Sequence, residues 1–66
     1  MSNQLTARER EIAHLVALDL SDQEIARRLC IQWQTVKNAE ALIRRKLGVA
    51  SRLGIAVAVV RGEVAR

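Results

Sequence analysis

The 66-residue chain is half hydrophobic, carries Trp33 as its single aromatic residue and has no proline, so one small core must be built from Leu, Ile, Val and Ala. Its net charge of +4 is unevenly spread: residues 1–26 hold two basic against five acidic residues (−3), and residues 27–66 hold nine against two (+7). That polarity suits one side meeting a polyanion, while a single cysteine excludes a disulfide framework or a Cys-rich zinc site, and the longest apolar run, 53–60, is too short to span a bilayer.

The abundance of Ala, Leu, Arg and Glu beside only three glycines predicts an all-α chain. Residues 1–4 read as a frayed start. Thr6 followed three residues later by Glu9 is a capping box that begins a first helix over 7–18, with Leu5 packing just outside it. Ile12, Leu15, Val16 and Leu18 form its inward side, and Arg8, Glu9, Arg10 and Glu11 face water. His14 stands near that stripe with no second His or Cys at ligand spacing, so no metal site is expected. A second box, Ser21 with Glu24, opens a helix over 22–29 whose Ile25, Ala26 and Leu29 point inward. Only Asp19 and Leu20 connect the two. Cys30 to Gln32 form the next turn, with Cys30 expected as a small core residue.

The third predicted helix, 33–47, organises the rest. Val36, Ala39, Ile43 and Leu47 recur at steps of three and four on one face. The opposite and flanking positions hold Gln34, Lys37, Asn38, Ala41, Arg44 and Arg45, with Glu40 as the helix's one acidic residue. A helix with an apolar stripe and a face of Lys, Asn and Arg can lie in a DNA major groove, although the same face also suits a merely solvated helix. Two helices joined by so short a turn, the second basic and amphipathic, make a helix-turn-helix arrangement. Gly48 is placed to end this helix in the left-handed conformation, with Val49 as the apolar contact beyond it.

Ser51 caps a fourth helix over 52–61, closed by Gly62. Its Ile and Val density also suits a strand, but a lone strand would have nothing to pair with. Helical spacing divides it into two faces: Ile55, Ala56 and Val59 toward the core, and Leu53, Val57, Val60 and Val64 as a candidate homodimer interface.

Read together, LTARERE (5–11), LSDQEIARRL (20–29), TVKN (35–38) and KLGVASR (46–52) closely resemble the LuxR/GerE/FixJ-type helix-turn-helix domain, over about residues 5–60. Region 4 of bacterial sigma factors shares the first two patterns, but KLGVASR fits the LuxR/GerE type better. The resemblance implies a four-helix unit in which the third helix reads the major groove and the fourth makes dimer contacts. By position it implies Gln34 and Thr35 at phosphates, and Lys37, Asn38 and Ala41 at base edges. The family usually carries this unit behind a receiver or ligand-binding domain, and this chain resembles a stand-alone version. Asp19, Gln32 and Ala39 depart from the family's usual Gly, Ser and His. Trp33 is expected to cover the turn as an apolar cap, with packing on a DNA sugar or a partner protein as the alternative, and Glu40 is expected to lie near the duplex.

The function these readings imply is a cytoplasmic DNA-binding transcriptional regulator, acting as a homodimer on double-stranded DNA through Gln34, Thr35, Lys37, Asn38, Ala41, Arg44 and Arg45. The alternative is a small interaction protein that pairs with and inhibits a full-length LuxR-type regulator. No cofactor and no membrane partner are implied. His14, Cys30 and the carboxylates form no spaced nucleophile–base set, so an enzyme is not expected.

Overall fold

The computed structural model describes residues 5–65; residues 1–4, read above as frayed, lie outside the described part. Among the described residues there are four helices and no strand: α1 (Ala7–Ala17), α2 (Asp22–Leu29), α3 (Trp33–Leu47) and α4 (Arg52–Val60). α1 and α4 stop one residue before the expected ends at 18 and 61.

The starts follow from side-chain caps. Thr6 Oγ1 accepts from the Glu9 amide at 3.1 Å, and Glu9 Oε1 accepts from the Thr6 amide at 2.8 Å. Ser21 and Glu24 repeat the same reciprocal pair at 3.1 and 2.8 Å. Ser51 Oγ accepts from the Gly54 amide at 3.2 Å. α3 alone begins without a side-chain cap, because Gln32 makes no such bond. Each cap satisfies an amide that the helix itself leaves orphaned.

The helix ends share one device. After each helix a residue turns left-handed: Asp19 (φ 66°), Cys30 (φ 58°), Gly48 (φ 71°) and Gly62 (φ 79°). The next amide then reaches back across the last turn: Leu20 N–H to Leu15 O, Ile31 N–H to Ala26 O, Val49 N–H to Arg44 O and Glu63 N–H to Ala58 O, at 3.4, 3.0, 3.0 and 2.9 Å. This is the Schellman closure, which satisfies carbonyls and reverses the chain within two residues. Such short reversals let helices of 8 to 15 residues fold onto one core.

Ile12, Ile25, Val36, Ile43 and Ile55 are fully buried at its centre. α1 packs on α4 and α3, and α2 packs on α3. Four expectations need correction. Leu18 is 67% exposed, because the turn at Asp19 brings Leu20, and not Leu18, against the core. Ala13 and Ala58, which helical spacing did not single out, are buried as well. Glu9 does not face water but is buried under its cap and an ion pair from α3. Cys30 is exposed, since it occupies the left-handed turn position rather than the core. Val64 is buried, because the reversal at Gly62 folds it back onto the core and away from the outer face of α4.

Candidate nucleic-acid interface

α3 sets the site. Its inward register runs Val36, Glu40 and Ile43, all buried, with Ala39 and Leu47 packed at the margin. The outward residues are consequently Trp33, Gln34, Thr35, Lys37, Asn38, Ala41, Leu42 and Arg45, all exposed. Arg44 and Lys46 are half-buried at the flanks. Of the residues expected at DNA, Gln34, Thr35, Lys37, Asn38, Ala41 and Arg45 thus share the open side of one helix, and Arg44 lies at its edge.

Several of these side chains are held before any ligand arrives. Gln34 Nε2 donates to Asn38 Oδ1 at 3.1 Å, one helical turn on. Lys37 Nζ sits 5.3 Å from the centre of the Trp33 ring and 3.9 Å from Asp22 Oδ2 of α2. Trp33 is half exposed, so its ring serves as a platform for Lys37 and not simply as a lid on the turn.

Glu40 reverses an expectation. It is only 3% exposed and lies on the inward side, four residues after Val36 and three before Ile43. Its counter-charge is Arg52 at the start of α4, whose Nε stands 3.4 Å from Glu40 Oε2 and 3.4 Å from Asp22 Oδ1. Arg52 Nη2 also donates to the Leu20 carbonyl, which ties the α1–α2 turn to the same group. Burial, then the hydrogen bond and charge of Asp22, push the Glu40 carboxyl up to about 7 against the pull of Arg52. The hydrogen bond from Glu40, followed by the charges of Arg52 and Lys37, holds Asp22 below the usual carboxylate range despite its burial. The exposed face of α3 is left with no acidic residue at all.

A second, part-buried ion pair fixes the far end of α3. Lys46 Nζ is 2.8 Å from Glu9 Oε1. Burial opposes the Glu9 charge, but Lys46 and the Thr6 amide outweigh it and hold that carboxyl below its usual value. Sequence spacing did not single out Arg52, Asp22 or the Glu9–Lys46 pair, whose partners lie on different helices.

The described residues include no group of three or more His, Cys, Asp or Glu placed to hold a metal ion, and no helix long and apolar enough to cross a membrane. On α4, Leu53, Val57 and Val60 are exposed together, while Ile55 and Ala58 face inward with Ala56 and Val59 beside them.

Two comparisons bear on what this arrangement is. The family described as "Bacterial regulatory proteins, luxR family" matches residues 3–59. The chain is 37% identical over 57 residues to the methanol utilization control regulatory protein MoxX of Paracoccus denitrificans, covering 86% of this chain and 26% of MoxX. It is 41% identical over 61 residues to the spore germination protein GerE of Bacillus subtilis (strain 168), covering 91% of this chain and 82% of GerE. It therefore spans about a quarter of one relative and most of the other. With α2, the turn and α3 arranged as a helix-turn-helix, the chain belongs to the LuxR family of bacterial regulatory proteins, a family of DNA-binding transcription regulators and not of enzymes.

Proposed function

We propose that this protein binds duplex DNA as a homodimer, with α3 in the major groove. The observation that supports this most directly is the clearing of acid from the α3 face: Glu40 is buried, and the open side holds only neutral and basic groups. On this reading Gln34, Thr35, Arg44 and Arg45 position the domain on phosphates. Lys37 can donate to guanine O6 and N7, Asn38 can pair with adenine, and Ala41 leaves room for a thymine methyl. A regulator of transcription in the bacterial cytoplasm follows.

The exposed Leu53, Val57 and Val60 supply the homodimer face, and two α3 helices then address successive major grooves about 10 base pairs apart. The same apolar face would serve for pairing with another LuxR-type regulator. Glu40 does not favour that alternative, because this carboxyl is buried and not on the DNA side.

The reading is tested by a shift assay on duplex DNA across a salt series, with Lys37→Ala beside the parent protein. If Lys37 reaches a base edge, its loss should weaken specific binding by about 1–3 kcal/mol. If it contacts phosphate only, all sequences should weaken alike and the salt slope should fall by about one. Absence of salt-dependent binding by the parent protein would refute the DNA reading.

A further inference from the structure

Lys37 stands over a buried group that no DNA contact explains. Asp22, at the first position of α2, and Glu40, on the inner side of α3, both approach Arg52 Nε at 3.4 Å. Asp22 Oδ2 is the atom 3.9 Å from Lys37 Nζ, so the same carboxylate faces the interior on one side and the α3 surface on the other. Its buried Oδ1 is met by Arg52 Nε as an ion pair only, without a well-aligned hydrogen bond. A buried carboxylate oxygen whose hydrogen bonding is incomplete is costly, and a neighbouring carboxylic acid can supply the missing hydrogen.

We propose that Asp22, Glu40 and Arg52 form a proton-operated control on Lys37, which frees Lys37 for DNA while the two carboxyls share a proton and holds it back when that proton is lost. This rests on the DNA-binding reading above and names how that site is regulated. With Glu40 protonated, its O–H donates to the Asp22 carboxylate. Asp22 and Arg52 then cancel, and Lys37 is a surplus positive charge. When Glu40 ionises, two carboxylates face one guanidinium. The cluster carries an uncompensated negative charge, and Lys37 is the further cation already paired with it. Lys37 is drawn onto Asp22, and the extra negative charge lies directly beneath the face that must approach phosphates.

Among the described residues, the charged groups paired with this cluster offer no other counter-ion to absorb that change. α2 contributes Asp22, α4 contributes Arg52, and α3 itself contributes Lys37. Asp19, from the turn before α2, borders the same depression as Arg52 and adds a negative charge rather than a positive one. Lys46, also on α3, is committed to Glu9 of α1. The Arg52 guanidinium is already divided among Asp22, Glu40 and the Leu20 carbonyl.

The sign of the linkage follows. DNA favours the form in which Lys37 is free, so binding takes up a proton, and affinity falls as pH rises through the value near 7 at which Glu40 ionises. One screened charge beneath several phosphates corresponds to about a three- to fivefold change in Kd.

The test uses a fluorescein-labelled mixed-sequence duplex of about 30 base pairs at low salt, titrated with the protein between about pH 6 and pH 8.5. The parent protein should weaken about three- to fivefold over that interval. Glu40→Gln, which keeps a neutral hydrogen-bonding group in place, should remain flat at the tight end. Asp22→Asn, which removes the charge that draws Lys37 inward, should also lose the pH dependence and guards against a fold defect in the first variant. Helical circular dichroism at each pH verifies folding.

In the DNA-free protein, NMR of the Glu40 carboxyl carbon and the Lys37 Cε should show the two titrating with one midpoint. Parallel pH curves for the parent protein and both variants, or a Glu40 carboxyl that titrates in the ordinary carboxylate range, would overturn the inference. If no duplex is bound at any pH, the DNA reading fails separately, and the shared or separate NMR midpoints still decide whether Glu40 governs Lys37.

Discussion

Lys46 Nζ and Glu9 Oε1 meet at 2.8 Å, joining the last turn of α3 to the first turn of α1 across 37 residues of sequence. Glu9 Oε1 simultaneously accepts from the Thr6 amide at 2.8 Å, so one oxygen closes the N-terminus of α1 and anchors the C-terminus of α3. Glu9→Gln keeps an acceptor for the cap but removes the charge. It should cost about 1–2 kcal/mol in urea unfolding. Lys46→Met should cost a similar amount, and the double variant should cost less than the sum.

The same pair sets a pH dependence. The folded-state value of Glu9 is depressed, so its stabilisation is present above the ordinary carboxylate value of 4.5 and is lost as pH falls through the lower folded value. Glu40 contributes with the opposite sign. Its folded value, about 7, is raised, so its contribution is full below 4.5 and is lost as pH rises toward 7. Thermal melts of Glu40→Gln should therefore lack the decline of the parent protein between those two values. A parent protein whose melting temperature is unchanged or rises over that interval, by the same amount as the variant, would contradict the buried position of Glu40.

Two of the four left-handed turn residues are not glycine. Asp19 and Cys30 hold φ angles of 66° and 58°, a region that costs an L-residue about 1–2 kcal/mol against the right-handed one. Asp tolerates it better than Cys, because its short polar side chain can bond locally. Cys30→Gly should accordingly stabilise by about 0.5–1 kcal/mol, and Asp19→Gly by somewhat less, as read in chemical denaturation. Gly48→Ala, at φ 71°, should destabilise by about 1 kcal/mol.

These turns also show how far the sequence could be read. Helix starts were legible because a capping box is complete within four residues, as with Thr6 and Glu9 or Ser21 and Glu24. The ends at Gly48 and Gly62 were legible because glycine marks a left-handed turn, whereas Cys30 carries no such mark and was assigned to the core. The outward face of α3 followed from helical spacing, but the inward place of Glu40 did not. A carboxylate is placed inside only when its partner is known, and Arg52 lies 12 residues away on another helix. Val64 was grouped with the outer face of α4 by extending the helical period through Gly62, where the backbone in fact reverses.

Gly54 sits in the first turn of α4 against the loop that leaves α3. A Cβ placed there would lie 2.7 Å from Val49 Cβ and 3.2 and 3.3 Å from its two methyl carbons. Alanine is the better helix former by about 1 kcal/mol, which alone would make Gly54→Ala stabilising. The clash wins, because the nearest atom is a Cβ fixed to the backbone and cannot swing aside, and overpacking of this kind costs about 1–3 kcal/mol. Gly54→Ala should be destabilising in net, and Val49→Gly, which removes the opposing Cβ, should make Gly54→Ala less costly than it is in the parent protein. A single variant more stable than the parent would show that α4 can shift freely on α3.

The proposed homodimer can be tested without disturbing the core. Leu53 and Val60 are 72% and 81% exposed on the outer side of α4, and Val57 lies between them, less exposed. Three large apolar residues on one side of a nine-residue helix form a patch that a monomer would leave in water. A second copy placed on it buries both patches at once, as a twofold interface requires. A carboxylate there would meet its own symmetry mate in a desolvated setting, so one substitution introduces two opposed charges. Val60→Glu and Leu53→Glu should each give a folded monomer on a sizing column, with helical circular dichroism unchanged because neither side chain belongs to the core. Affinity for a duplex with two half-sites about 10 base pairs apart should drop far more than affinity for a single half-site, since pairing makes the second binding event intramolecular. A parent protein that elutes as a monomer at high micromolar concentration, or variants that remain dimeric, would refute this interface. Equal losses on one and two half-sites would instead place Leu53 and Val60 in contact with DNA.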